Sequence, residues 1–250
     1  HDVRTNERAH FPSGAAVGGS TAVSEIQATL NNRVSIGENA MLAAREDVLV
    51  GTVTNAAVTA GADVHFGAVG GSARATSSVT ATSSQAITIG SNTTVLAGRN
   101  VHLVSGDDTS TSKRSSLDLH SRSNAFGYAL FAIPAAAASV RPIDETVLHI
   151  ARNSQVTAGG NIVLAARETT VNSSETGRIY WNSIQTGGFS RSTGSLRNPV
   201  SRRQVVTNEG IVTAGIYNKL EITIPDARNA EVSLDSFDDV LFTMDSAQVI

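Results

Sequence analysis

The chain has 250 residues, of which 40% are hydrophobic, 4% aromatic and 16% charged. This length can bury a sizeable core, but few aromatic residues are available, which leaves that core to small and β-branched side chains and favours strands over a helical bundle. A formal net charge of −3 and dispersed arginines argue against nucleic-acid binding, and the absence of cysteine excludes disulfides, thiolate catalysis and Cys-ligated zinc.

No stretch of eighteen apolar residues is present, so we expect no membrane-spanning segment. The most apolar stretch, residues 125–140, is interrupted by Pro134 and is expected to form buried strand. The chain begins with His1 rather than Met, which indicates a processed product or a fragment.

Three segments align without gaps at residues 36–50, 89–103 and 150–164. Each has an Ile first, an Asn at the fourth position, an apolar residue three positions later, a polar corner, and an alternating apolar strand. The segments start at Ile36, Ile89 and Ile150, so their spacing is nearly regular, and self-similarity of this kind is typical of stacked architectures. Two partial copies follow the same pattern at residues 55–66 and 211–222, the second needing about two extra residues before Leu220.

One corner illustrates the expected local structure. In residues 156–164, Gly159 tolerates a positive φ, Asn161 caps the turn, and Ile162 and Leu164 point inward. Coils of roughly 16 to 25 residues, of which 250 residues give about ten to fifteen, stack at about 4.8 Å in a β-solenoid. A β-sandwich also has short alternating strands, but it does not predict a motif that recurs without gaps.

Asn39, Asn92 and Asn153 are the most regular polar positions of the motif. We expect their side chains to be buried at the corners, where each amide bonds the backbone of its own and the adjacent coil. On this interpretation, Asn153→Ala destabilises the fold by about 1 to 3 kcal/mol.

The phrases GENAMLAAREDVLV, AAVTAGADVHF, NTTVLAGRNVHLVSG and NSQVTAGGNIVLAARE resemble the repeats of filamentous-haemagglutinin-like adhesins and related giant repetitive bacterial surface proteins. The resemblance covers roughly residues 34–224. It implies an all-β fold, a right-handed parallel β-helix with projecting loops or extra strands. It also implies an extracellular or cell-surface location and a role in adhesion or in a structural filament.

The expected organisation has three parts: irregular lead-in coils at residues 1–33, a repetitive β-helix at 34–215, and acidic, divergent coils or a contact segment at 216–250. Residues 109–144 and 173–203 depart from a regular coil and are expected to project from it. The expected partners are neighbouring coils of the same parent chain, other copies of the chain, and cell-surface glycans.

No metal, cofactor or catalytic residue is predicted. His65 and His102 occupy the same motif position and are interpreted as surface residues. The pairs Asp107-Asp108 and Asp238-Asp239 offer oxygen ligands for calcium, but neither lies in a calcium-binding motif, and solvated turns are the preferred interpretation.

Glu168, Glu175, Arg178, Tyr180 and Trp181 come closest to a sugar-binding cleft, in which Tyr180 and Trp181 would contact a glycan. A carbohydrate-active β-helix enzyme of the lyase or depolymerase type, or a glycan-binding module, is therefore the alternative function. The leading hypothesis is a non-enzymatic structural and adhesive segment of a large surface protein.

Overall fold

The structure, a computed structural model, describes residues 2–108, 113–128, 131–183, 187–193, 200–215, 217–223 and 240–245, with side chains within 18–67, 69–108, 113–128, 134–180 and 200–215. All regular elements in these residues are strands, so the described part of the chain is all-β, as the composition predicts. The strands are β1 (Asp2–Ile36), β2 (Met41–Ala44), β3 (Val48–Thr52), β4 (Asn55–Ile89), β5 (Thr94–Ala97), β6 (Val101–Ser105), β7 (Asp107–Asp108), β8 (Lys113–Arg114), β9 (Ser116–Tyr128), β10 (Phe131–Ile150), β11 (Gln155–Ala158), β12 (Asn161–Ala166), β13 (Thr170–Ser183), β14 (Gly187–Thr193), β15 (Ser201–Asn208), β16 (Ile211–Ala214), β17 (Tyr217–Thr223) and β18 (Val240–Asp245).

Three sheets dominate the fold. Sheet A has the order β14-β13-β9-β4-β10-β15, with β1 also paired to β4, sheet B has the order β16-β11-β5-β2, and sheet C has the order β18-β17-β12-β6-β3. Pairing within these sheets is parallel except for the antiparallel pair β13 and β14. The short strands β7 and β8 form a separate antiparallel pair.

Between Asp2 and Thr223, the described residues visit sheets A, B and C in the same order four times. We call each visit a pass: pass 1 is β1–β3, pass 2 is β4–β6, pass 3 is β9–β12 and pass 4 is β13–β17. Leu42 pairs with Val95, Val95 with Val156, and Val156 with Val212. The three segments that the sequence aligns therefore lie side by side in the aligned register.

The prediction of short coils of roughly 16 to 25 residues is wrong. The partial copy at residues 55–66 does not turn at its Ala-Gly pair, because β4 continues without interruption from Asn55 to Ile89. Four long passes therefore replace the larger number of short coils that the sequence predicted. The extra residues expected before Leu220 are also absent, since Leu220 pairs with Leu164 at the same offset that joins Val212 to Val156.

Other parts of the expected organisation also differ. The segment 1–33 was expected to be irregular, but its described residues, 2–33, belong to β1, which pairs with β4 along almost its whole length. The described residues of the two expected excursions are mostly strands of sheet A, in keeping with the extra strands that were one of the two expected forms. Apart from β17 and β18, the acidic tail at 216–250 lies outside the described residues.

The largest core cluster, which we call the body, lies where the three sheets meet. Its residues stack in columns across the passes, and Val95, Val101 and Leu103 of pass 2 are completely buried. The corresponding residues of pass 3, Val156, Ile162 and Leu164, are almost equally enclosed. Small aliphatic side chains fill the space between the three sheets, which explains the low aromatic content.

The long strands of sheet A fold back on themselves. Val64 and Phe66, from the first half of β4, share a cluster with Ala73 and Ala75 from its second half. Gly71, at a φ of 153°, lies between the halves, and a β-carbon there would lie 1.8 Å from the Gly18 carbonyl oxygen. The two facing layers, which we call the arm, extend from the body and have an interior mostly of Ala, Val and Ser, with Phe66, Leu117 and Leu119 as its largest side chains.

Candidate functional site: the stacked corners and the outer faces

The corner between sheets B and C carries a polar ladder that runs from pass to pass. Asn100 donates its backbone N–H and its side-chain amide to Asp47 Oδ1, at 3.1 and 2.9 Å. In the next pass, the Asn161 backbone N–H donates to Asn100 Oδ1 at 3.0 Å. Asp47 and Asn100 each accept a hydrogen bond from the pass that follows, and the polar corner predicted from the sequence is a column of contacts from Asp47 to Asn161.

Asp47, at the start of this ladder, also carries a charge pair. Arg99 Nη2 lies 2.6 Å from Asp47 Oδ2, and Arg99 Nε lies 3.3 Å from Oδ1. These bonds from the guanidinium, with those from Asn100, lower the pKa of the Asp47 carboxyl to about 2. The pair lies on the exposed edge of the corner, where solvent screens it.

Glycine is required at this corner for a different reason from the one expected. A β-carbon on Gly159 would lie 2.3 Å from the Gly98 carbonyl oxygen, and one on Gly98 would lie 2.0 Å from the Arg45 carbonyl oxygen. Gly215 of pass 4 has the same relation to Gly159, at 2.2 Å. The expected positive φ at Gly159 is not found, so close approach of the preceding pass imposes the glycine.

Asn39, Asn92 and Asn153 lie at the corner between sheets A and B. Their φ values are 56°, 55° and 59°, in the left-handed region that Asn tolerates better than most residues. All three side chains are exposed, so the expected buried amide is wrong. Asn is therefore favoured at these positions because its backbone tolerates a positive φ, rather than because of bonds from its side chain.

The buried hydrogen bonds of this corner come from the residue that follows each Asn. Thr93 Oγ1 donates to the Gly37 carbonyl at 2.7 Å. Ser154 Oγ donates to the Ala151 carbonyl of its own corner and lies 3.4 Å from the Gly90 carbonyl. Both side chains are fully buried. The alignment contained this signal, because a hydroxyl residue follows Asn in passes 2 and 3, whereas Ala40 follows it in pass 1.

The outer face of the arm carries an aromatic ladder. The rings of His65 and Phe126 stack with centroids 4.3 Å apart, and those of Phe126 and Tyr180 stack at 4.6 Å, with planes within 6°. Because each ring covers its neighbour, Phe126 has no free face and Tyr180 has one face covered. Trp181 is the next residue of β13, and consecutive strand positions belong to opposite faces of a sheet. Its side chain lies outside the described part of the chain.

A buried polar seam separates the arm from the body. Asp144, 2% exposed, accepts bonds from the Thr169 backbone N–H at 2.9 Å and from the Thr169 hydroxyl at 2.6 Å. Gln85 Nε2 donates to Thr169 Oγ1 at 3.1 Å, and Ser115 Oγ donates to Gln85 Oε1 at 3.0 Å. These bonds satisfy polar groups that water cannot reach.

Glu168 and Arg202 lie beside this seam, with Glu168 Oε2 and Arg202 Nε 3.3 Å apart. Desolvation raises the pKa of both the Asp144 and the Glu168 carboxyls, while the Arg202 charge opposes the shift in each. This cluster could not be predicted from local sequence patterns, because Asp144, Glu168 and Arg202 come from three different strands or connections. Two carboxyls beside an arginine suit acid–base chemistry, but Asp144 is sealed from solvent.

The acidic residues of the expected sugar cleft do not converge on its aromatic side, as far as the described side chains show. Glu175 is 7% exposed inside the arm, where its Oε1 accepts the Val140 backbone N–H at 2.7 Å. Arg178 is exposed, whereas Glu168 lies at the seam. The two carboxylates therefore lie apart from Arg178 and Tyr180, which share one face of β13, and the side chain of Trp181 lies outside the described residues.

The other candidate residues also separate. Asp107, 3% exposed, forms an ion pair with Arg167, and Asp107-Asp108 pairs in strand register with Lys113 and Arg114. The expected solvated turn is therefore wrong for this pair. His65 and His102 lie in sheets A and C, so their shared motif position does not bring them together.

Burial lowers the pKa of His102, which lies in register between Leu49 and Val163. Asp238-Asp239 lies outside the described residues. Within the described ranges, no group of three or more His, Cys, Asp and Glu side chains is placed to hold a metal ion.

No helix among the described residues has the length and apolar character needed to cross a membrane. Comparison of the chain with known protein families, with curated proteins and with solved structures finds no match.

Proposed function

We propose that the chain is a structural and adhesive segment of a large bacterial cell-surface protein, folded as a right-handed parallel β-solenoid. In this proposal the segment has no enzymatic activity, and its function is to supply length and side surfaces. The observation that carries the proposal is the stacking of equivalent corner residues over successive passes, from Asp47 through Asn100 to Asn161. The handedness and the location follow the resemblance of the repeats to filamentous-haemagglutinin-like adhesins.

The hydrogen bonds between passes support a role in extension. Each parallel pass adds about 4.8 Å along the stacking direction. Because the contacts at a corner use backbone groups and one short polar side chain, the same local geometry recurs with different sequences. A chain that repeats one geometry in one direction builds a rod whose length depends on the number of passes.

The outer face of sheet B supports a role in contacts with other surfaces. Met41, Leu96 and Ile211 point away from the body and are 71%, 40% and 62% exposed. Met41 and Ile211 lie at the two edges of this face with Thr94 and Gln155 between them, and such a mixture of apolar and polar side chains is common at interaction surfaces. We propose this face for lateral contacts with other copies or with a host surface.

Electron microscopy of the protein isolated from its source cells tests this proposal. The proposal predicts that the chain is part of an elongated particle with a repeat of about 4.8 Å along its axis. An isolated compact particle that releases oligosaccharides from a panel of polysaccharides would contradict it and favour the carbohydrate-active alternative.

A further inference from the structure

At two corner positions, the later passes contact the backbone of the pass that precedes them. One is the glycine position, where Gly98, Gly159 and Gly215 each leave room for a preceding carbonyl oxygen. The other is the hydroxyl position, where Thr93 Oγ1 donates to the Gly37 carbonyl of the preceding pass. Ser154 Oγ donates to the Ala151 carbonyl of its own pass and also lies 3.4 Å from the Gly90 carbonyl of the preceding pass. The missing β-carbon at the glycine position serves contact with a preceding pass only.

Pass 1 lacks both features. Arg45 occupies the glycine position. Ala44 pairs with Ala97, and the residue after Ala44 is Arg45, whereas the residue after Ala97 is Gly98. Ala40 occupies the hydroxyl position, immediately after Asn39, and it has no side-chain donor.

The geometry at Arg45 excludes a further pass of the same shape. The chain bends at Arg45 and Gly98 in the same way, and both follow a short strand of sheet B. The β-carbon of Arg45 therefore points to the position where a preceding pass would place its carbonyl oxygen. At the three later corners the corresponding distance is 2.0 to 2.3 Å, well below any real contact between such atoms.

We infer that Arg45 closes the edge formed by β2 and β3 to any further pass with this corner, including one from a second copy of the chain. The side of the stack that pass 1 forms is therefore an end, and copies associate through other surfaces. This inference rests on the proposed function, in which passes stack into a rod. It identifies Arg45 as the residue that limits the stacking at one end.

The test uses the complete chain and a fluorescent peptide of residues 89–105, which contains the pass 2 corner. The peptide is offered to the unchanged protein, to Arg45→Gly and to the matched control Arg45→Ala. The alanine variant removes the charge and the long side chain but keeps the β-carbon, whereas the glycine variant removes all three.

The inference predicts that Arg45→Gly binds the peptide at least tenfold more tightly than Arg45→Ala, and that the unchanged protein binds no better than the alanine variant. Circular dichroism confirms that all three are folded. Equal binding by the glycine and alanine variants would assign the effect to charge, and binding by none would show that something else closes the edge. Either result overturns the inference and leaves the proposed function standing, because microscopy tests that function separately.

Discussion

Asn100 places two donors, its backbone N–H and its side-chain amide, on the single oxygen Asp47 Oδ1, at 3.1 and 2.9 Å. The two residues are far apart in the sequence and adjacent in space. This pairing links two passes through a side chain as well as through the strand ladder. The register of the stack is therefore specified at the corner, where a slip of one residue would break both bonds.

The charge at Asp47 makes this corner sensitive to acid. Its pKa is lowered to about 2, first by the bond from Arg99, whereas the carboxyl of the unfolded chain titrates near 3.8. The stabilisation from Asp47 is therefore complete above the unfolded pKa and is lost as the pH falls through the interval toward 2.

The matched variant Asp47→Asn keeps an oxygen for Asn100 and removes the titrating group. The melting temperature of the unchanged protein should fall more steeply between pH 5 and pH 2 than that of the variant. Parallel curves for the two proteins would remove Asp47 from the acid response.

The glycine column predicts a large effect of one methyl group. Gly98→Ala should destabilise the fold by about 2 to 3 kcal/mol, because the methyl group would meet the Arg45 carbonyl oxygen at 2.0 Å. Gly37→Ala is the control, since nothing lies within 4 Å of a β-carbon there, and its effect should stay within about 0.5 kcal/mol. Chemical denaturation followed by circular dichroism measures both, and equal effects would contradict the close approach.

The positive φ of Asn153 separates a backbone role from a side-chain role. Asn153→Ala should destabilise by about 1 kcal/mol, because alanine is strained in the left-handed region, whereas Asn153→Gly should be nearly neutral. If the side-chain amide were the important group, both variants would lose stability equally. Their unfolding free energies distinguish the two roles.

The seam between arm and body predicts the opposite response to pH. The raised pKa values of Asp144 and Glu168 mean that the folded protein holds these protons more tightly than the unfolded chain does. Stability should therefore be highest below the ordinary carboxyl pKa and should decrease as the pH rises from there toward the folded pKa values.

Asp144→Asn should reduce this decrease, although it also loses an acceptor for Thr169. The slope of the unfolding free energy against pH, rather than its absolute value, is therefore the measurement to compare. An unchanged slope would show that Asp144 does not titrate in this range.

The sequence predicts the register of the body well and the path of the chain poorly. The segments at 36–50, 89–103 and 150–164 align without gaps because their residues pair directly across the stack. The partial copy at 55–66 has a similar sequence. However, Thr52 lies three residues before Asn55, where the three aligned segments have a buried or half-buried Ile three residues before their Asn. Asn55 does not adopt the positive φ of Asn39, and the strand continues.

The seam and the aromatic ladder could not be predicted from local patterns. Asp144, Thr169 and Arg202 meet only because the long strands fold back and then stack on strands that are distant in the sequence. His65 pairs with Phe126, and Phe126 with Tyr180, at two different sequence offsets, which become visible only when the strands are paired.

The chain contains no cysteine, so a disulfide between two introduced cysteines shows directly that the two positions are neighbours. Ala43 lies opposite Leu96 on the outer face of sheet B, and Leu96 lies opposite Thr157 one pass further along. Neighbouring parallel strands are about 4.8 Å apart, within disulfide range, whereas strands two passes apart are separated by about 10 Å, which is beyond it. The stacking of passes 1, 2 and 3 in this order predicts that the double variant Ala43→Cys, Leu96→Cys forms a disulfide under mild oxidation. The double variant Ala43→Cys, Thr157→Cys should form none. A disulfide in the second pair, or its absence in the first, would contradict the stacking of passes on which the proposed function depends.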